Sequence, residues 1–166
     1  DGMGRLCRKA DIVVPNMTEA CHLLGRDYDP GPYTRDQVVD ILKGLCALGP
    51  RMAVLTGVWL QVGSLGTACY DARTGEAELF LTDRIEGFYH GTGDLFASAL
   101  LGGLLNGACL KEACETATEF TWRTIETTFE KSADHRFGPK FECHLPWLGE
   151  KMEACRKTVA NPENLR

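Results

Sequence analysis

Residues 89–107 read Tyr-His-Gly-Thr-Gly-Asp-Leu-Phe-Ala-Ser-Ala-Leu-Leu-Gly-Gly-Leu-Leu-Asn-Gly, a glycine turn feeding an apolar run. From Leu95 to Leu105 the run is rich in small residues, which predicts a helix buried on most faces. Glycines at 91 and 93 let backbone N–H groups approach a ligand with no Cβ in the way, and the start of a helix adds partial positive charge. Gly91, Thr92 and Gly93 are therefore a candidate hole for an anion such as a transferring phosphate. Asp94 stands beside it, placed to accept a hydroxyl proton. Taken alone, the four residues also describe a tight turn in which Asp94 is only a helix N-cap.

Working upstream, Asp11-Ile-Val-Val-Pro15 is a β-branched run closed by proline, which predicts a buried strand ending at a loop. A short helix follows from about Thr18 to Leu24, stopped by Gly25. The stretch Asp27–Tyr33 carries two prolines and a glycine and predicts a loop. Thr34 with Gln37 forms a capping-box signature, and Val38, Val39, Ile41, Leu42 and Leu45 recur at helical spacing until Gly49-Pro50. Met52–Thr56 is the next buried strand. Leu65–Tyr70 and Ala77–Thr82 form a hairpin across Asp71–Gly75. Downstream, Leu110–Lys131 is an amphipathic helix.

This alternation predicts an α/β domain: a mainly parallel sheet with an antiparallel hairpin and helices on both faces, in three layers. Only two convincing central strands are supplied, so the expectation is an incomplete domain. Residues 1–148 form its body, and 149–166 a polar tail, helical at Glu150–Lys157, that frays.

Composition narrows the function. With 44% hydrophobic and 25% charged residues in 166, the chain is an ordinary globular α/β protein. No run approaches the ~20 apolar residues needed to span a bilayer, and the first ten residues lack a signal-peptide core, so the expected setting is cytoplasmic, without membrane contact. A net charge of −5 with scattered basic residues argues against a nucleic-acid partner. The eight cysteines include no Cys-x-x-Cys pair and predict reduced thiols. His22, His90, His135 and His144 are not at metal-ligand spacing, and Trp59, Trp122 and Trp147 read as packing residues.

The Tyr89–Gly107 stretch closely resembles the signature of ribokinase-like small-molecule kinases, in particular the pyridoxal/pyridoxamine kinase family. In that family Gly-Thr-Gly-Asp forms the anion hole and the aspartate is the catalytic base. Asp11-Ile-Val-Val-Pro-Asn-Met-Thr-Glu-Ala20 resembles the family's strand–Pro-Asn-x-x-Glu segment. By that resemblance Asn16 contacts ATP phosphates and Glu19 organises Mg²⁺ through water, since hard cations favour oxygen ligands and magnesium keeps part of its hydration shell. Read from the residues alone, Asn16 is a turn residue and Glu19 a first-turn partner of the helix dipole. Val54-Leu-Thr-Gly57 resembles the strand end that reaches ATP, giving Thr56 and Gly57 as further contacts, although threonine commonly ends a strand for structural reasons. Arg136–Glu142 with Leu145-Pro-Trp-Leu148 resembles the end of pyridoxamine-type kinases.

The resemblance spans about Asp11 to Leu148 and covers the C-terminal part of such a kinase. It implies phosphorylation of the 5′-hydroxymethyl group of pyridoxal, pyridoxamine or pyridoxine by Mg·ATP, with Asp94 as base, in a homodimer. Val14 stands where these kinases often have threonine, and Asp1 matches too raggedly to receive a role. A hydroxymethylpyrimidine kinase of thiamine synthesis shares this phosphate machinery, and a non-catalytic nucleotide-binding module is the rival from another class.

Overall fold

The computed structural model describes residues 2–131 and 138–160, with side chains of the last helix as far as residue 156. Asp1, His135, Arg136 and Phe137 lie outside the described residues. The chain divides into two compact units, Asp1–Arg84 and Ile85–Arg166.

The first unit contains α1 (Gly2–Cys7), β1 (Ile12–Val13), α2 (Met17–Leu24), α3 (Arg35–Ala47), β2 (Met52–Val58), β3 (Ser64–Asp71) and β4 (Glu76–Asp83). Its sheet has the order β1-β2-β3-β4. The α/β class is as expected, but the balance of pairings is not: β1 and β2 are parallel, whereas β2–β3 and β3–β4 are both antiparallel. Connection length is the physical reason. β1 reaches β2 through α2 and α3, the long crossover a parallel pair requires, while 59–63 and 72–75 are too short for anything but hairpins. The antiparallel element is thus a three-stranded meander rather than a single hairpin.

One face of the sheet carries Ala53, Leu55 and Ala68, which join Met17 and Ala20 of α2 and Val38, Ile41, Leu42 and Leu45 of α3 in one core. Positions 38, 41, 42 and 45 are the helical stripe legible in the sequence, and each fully buried Leu or Val contributes roughly 1.5–3 kcal/mol. α3 begins at the expected capping box, with Thr34 accepting from Gln37 N and Gln37 returning the bond. It ends before Gly49, where φ is 142° and a Cβ would lie 2.8 Å from the Arg8 carbonyl oxygen, so only glycine lets the chain pass there.

The second unit contains α4 (Thr92–Leu105), α5 (Leu110–Lys131), a 3₁₀ turn at Glu142–His144 and α6 (Leu145–Ala160). α4 and α5 approach closely because Gly103 faces Ala113, and Met152 of α6 lies against Gly102. Along the buried side of α5 the hydroxyls of Thr118, Thr124 and Thr128 donate to the carbonyls four residues earlier, at 2.7, 2.8 and 2.6 Å. Those bonds satisfy hydroxyls that would otherwise be costly to bury.

The helix expected at Glu150–Lys157 is present and longer, running from Leu145 to Ala160. Arg156 donates from Nε and Nη2 to Asn106 Oδ1 at the end of α4, and Trp147 lies under the cations of Arg123 and Lys151, at 4.8 and 5.4 Å. All eight cysteines are free thiols, and no helix among the described residues is long and apolar enough to cross a membrane.

Candidate functional site

In the first unit the candidate residues gather where β1 and β2 end. Thr56 N donates to Pro15 O at 3.1 Å, and Asn16 and Thr56 pair as an isolated parallel bridge. The ladder register then shifts between Thr56 and Val58, leaving Gly57 as a bulge with φ 72° and open space where a Cβ would stand. Thr56 and Gly57 therefore sit at the carboxyl end of a central strand, beside Asn16, on the edge where α/β sheets receive ligands.

Asn16 and Glu19 are bonded to each other's backbone. Asn16 Oδ1 accepts from Glu19 N and Glu19 Oε2 accepts from Asn16 N, both at 2.9 Å. This is a complete capping box on α2, so the local role of both residues is observed directly. Both are exposed, and the box occupies Oε2 of Glu19 but not Oε1. One exposed carboxylate oxygen with a neighbouring amide suits a magnesium ion held largely by water and phosphate, which needs few protein ligands. No group of three or more His, Cys, Asp or Glu side chains able to hold a metal occurs among the described residues.

In the second unit α4 begins at Thr92, earlier than the Leu95 expected from the apolar run. Gly91 is its N-cap, with φ 83° and no side-chain capping bond. The first helical bond runs from Leu95 N to Gly91 O, 3.0 Å. Consequently the N–H groups of Thr92, Gly93 and Asp94 precede any intrahelical acceptor, and no side chain caps them. This corrects the alternative in which Asp94 is the N-cap: it is the third helical residue. Its amide joins the donor set, while Gly91 supplies the cap and its carbonyl.

The turn is fixed from both sides. Thr92 Oγ1 donates to Tyr89 O at 3.1 Å and Tyr89 Oη donates to Glu86 O at 2.9 Å; burial pushes the Tyr89 phenol above its ordinary value, which keeps it a neutral donor. Gly91, Gly93 and Asp94 are exposed, and a Cβ at Gly93 would meet nothing within 4 Å. His90 makes an edge-on ring contact with Phe88, centroids 5.0 Å apart. Pro139, which no motif connects with this turn, lies near it: a Cβ on Gly91 would come to 4.0 Å from Pro139 Cδ.

Each cluster lies wholly within one unit: Asn16, Glu19, Thr56 and Gly57 in the first, Gly91–Asp94 in the second. One offers oxygens and an open bulge, the other first-turn N–H groups and a carboxylate.

Comparison with known proteins follows the same lines. Residues 3–139 match the family model for phosphomethylpyrimidine kinase. The pyridoxine kinase of Bacillus subtilis is 33% identical over 127 residues, covering 75% of this chain and 45% of that protein. A crystal structure, with pyridoxal, of a Bacteroides thetaiotaomicron protein provisionally assigned as a phosphomethylpyrimidine kinase superposes with a TM-score of 0.82 at 30% identity, covering 89% of this chain and 52% of that one. The Staphylococcus aureus pyridoxal kinase, in complexes with AMP-PCP and with ADP, gives a TM-score of 0.65 at 26% identity over 75% of this chain and 45% of that one. The chain thus spans about half the length of the relatives it matches. With a family model matched over most of its residues, this chain belongs to the phosphomethylpyrimidine kinase family of the ribokinase-like superfamily, with pyridoxal kinases among its relatives.

Proposed function

We propose that this chain carries the phosphate-handling part of a kinase that transfers the γ-phosphoryl group of ATP to the 5′-hydroxymethyl group of pyridoxal, pyridoxamine or pyridoxine. The observation that carries the reading is the start of α4: a glycine cap with no side-chain capping bond, the exposed first turn, and the exposed carboxylate of Asp94 in that turn. The substrate oxygen attacks the γ-phosphorus, its proton passes to Asp94, and the bond to the ADP oxygen breaks with its electron pair. The amides of Thr92, Gly93 and Asp94, capped by Gly91, stabilise the charge that develops on the phosphoryl oxygens. Asn16, Thr56 and Gly57 contact the nucleotide phosphates. Magnesium, held by Glu19 through water, supplies neutralisation of phosphate charge when bound. The kinases of known structure with bound ADP, AMP-PCP or pyridoxal support these substrate classes. The resemblance extends the proposal to a cytoplasmic homodimer.

A second reading has its own support. The matching family model is described by a pyrimidine substrate, and the same turn and carboxylate serve a hydroxymethylpyrimidine alcohol equally well. Turnover with pyridoxal and with hydroxymethylpyrimidine separates the two.

The decisive variant is Asp94→Asn, measured by steady-state turnover beside ATP affinity from calorimetry. Loss of a positioned base lowers kcat by ~10²–10⁴ while the backbone donors, and hence ATP binding, survive. Near-normal turnover in the folded variant removes Asp94 from the chemistry. Nucleotide binding by the unsubstituted protein with turnover of neither alcohol identifies a binding module instead.

A further inference from the structure

We infer that Thr128, remote in sequence from the α4 turn, is a positioning residue for it, acting through the segment 138–144. That segment is tied to three positions on one side of α5. Lys140 N donates to Thr128 Oγ1 at 2.8 Å, Thr127 Oγ1 meets His144 Nε2 at 2.8 Å, and Lys140 Nζ donates to Lys131 O at 3.3 Å. The first tie is the buried one: Thr128 is 1% exposed. Its hydroxyl already donates to Thr124 O, so it holds a fixed orientation and presents its oxygen to Lys140.

The same segment passes beside Gly91. Phe141 N donates to Pro139 O at 3.0 Å, closing a tight turn after Gly138, whose φ is 81°. That turn sets the Pro139 ring beside Gly91. Gly91 has no side chain of its own to hold the cap, and the nearest group to where one would stand is the Pro139 ring. The chain of contacts runs from Thr128 through Lys140 and Pro139 to Gly91, and so to the donors at Thr92, Gly93 and Asp94. The family model ends at residue 139, so the tie lies at and beyond its limit.

The inference rests on the anion-hole reading only for its consequence, and the test separates the two. In ¹⁵N-labelled protein, Thr128→Val keeps the shape but removes the acceptor, Thr128→Ser keeps the hydroxyl, and Thr128→Ala provides a variant with strong helix propensity if the valine perturbs folding. Amide resonances of Gly91, Thr92 and Gly93 are expected to move in the valine and alanine variants and to return with serine. ADP affinity is expected to fall by about 3–10-fold with valine, the span of one lost hydrogen bond, and to be rescued by serine. Unmoved resonances with valine, or equal movement with serine, overturn the positioning role. If the unsubstituted protein does not bind ADP, the anion-hole reading fails, and the resonances still decide whether Thr128 positions the turn.

Discussion

The starts of α2 and α4 solve the same problem in opposite ways. Every helix begins with N–H groups that lack acceptors. At α2 the side chains of Asn16 and Glu19 close the end reciprocally. At α4 the cap is a left-handed glycine with no side chain to close the end, and the first-turn amides stand beside a carboxylate. A closed end is worth stability; an open one keeps its donors for something else. The comparison also shows that an acidic residue in the first turn has no fixed meaning, since Glu19 turns back to its own backbone whereas Asp94 makes no such bond.

Gly91→Ala should have the largest effect. Forcing a Cβ onto a φ of 83° costs roughly 1–2 kcal/mol and re-aims the amides, so both the denaturation midpoint and ADP affinity should fall. Gly25→Ala is the control, because Gly25 is also left-handed (φ 64°) but ends α2. It should lose comparable stability with no change in ADP affinity, and equal ADP binding by both variants would break the contrast between the two helix ends.

Asn16→Ala comes next, at a cost of about 1 kcal/mol in a denaturant titration, with Asn16→Asp nearly neutral. Glu19→Gln keeps the return bond to Asn16 N, because glutamine also completes a capping box. A stable Glu19→Gln protein with a higher magnesium requirement for turnover would assign the second oxygen of Glu19 to the metal. Unchanged magnesium dependence would leave Glu19 as a cap alone.

The smallest effect concerns a carboxylate used in a third way. Asp71 receives Arg51 Nε at 3.1 Å, Arg51 Nη2 at 2.6 Å and Arg73 N at 2.8 Å. The Arg51 guanidinium foremost, with the Arg73 amide, holds the Asp71 carboxyl below the usual aspartate range. A depressed folded value gives stability that is present above the unfolded value near ~4 and lost as pH falls through the folded one. Melting temperatures below about pH 4 should therefore drop less steeply in Asp71→Asn than in the parent. Parallel acid limbs would show that this pair contributes nothing.

Local chemistry made most elements legible. Thr34 with Gln37 announced α3, Gly25 ended α2, and the turn Asp71–Gly75 marked the hairpin of β3 and β4. What escaped was set by geometry that residue types do not encode. Asn16 and Glu19 carry the same N-cap and third-residue pattern as Thr34 and Gln37, yet their likeness to a ligand motif drew attention from the box they form. Thr92 and Gly93 stand before the apolar run that marks the helix, so the run alone places the start of α4 late and leaves the Asp94 amide out of the donor set. The β2–β3 pairing rests on the short link 59–63, whose turn has no strong dipeptide signal. The place of Pro139 beside Gly91 depends on the path of the backbone between α5 and α6.

The glycines of α4 have one more consequence. Gly93, Gly102 and Gly103 each reduce helix propensity by about 1 kcal/mol relative to alanine, and a helix of this length is marginal alone. Yet Gly102 and Gly103 are what admit Met152 and Ala113 so closely. The order of α4 is therefore borrowed from α5 and α6: it forms as they dock, not before. In hydrogen–deuterium exchange its interior amides should open together with those of α5, as a single cooperative unit, rather than fraying from the exposed glycine turn inward.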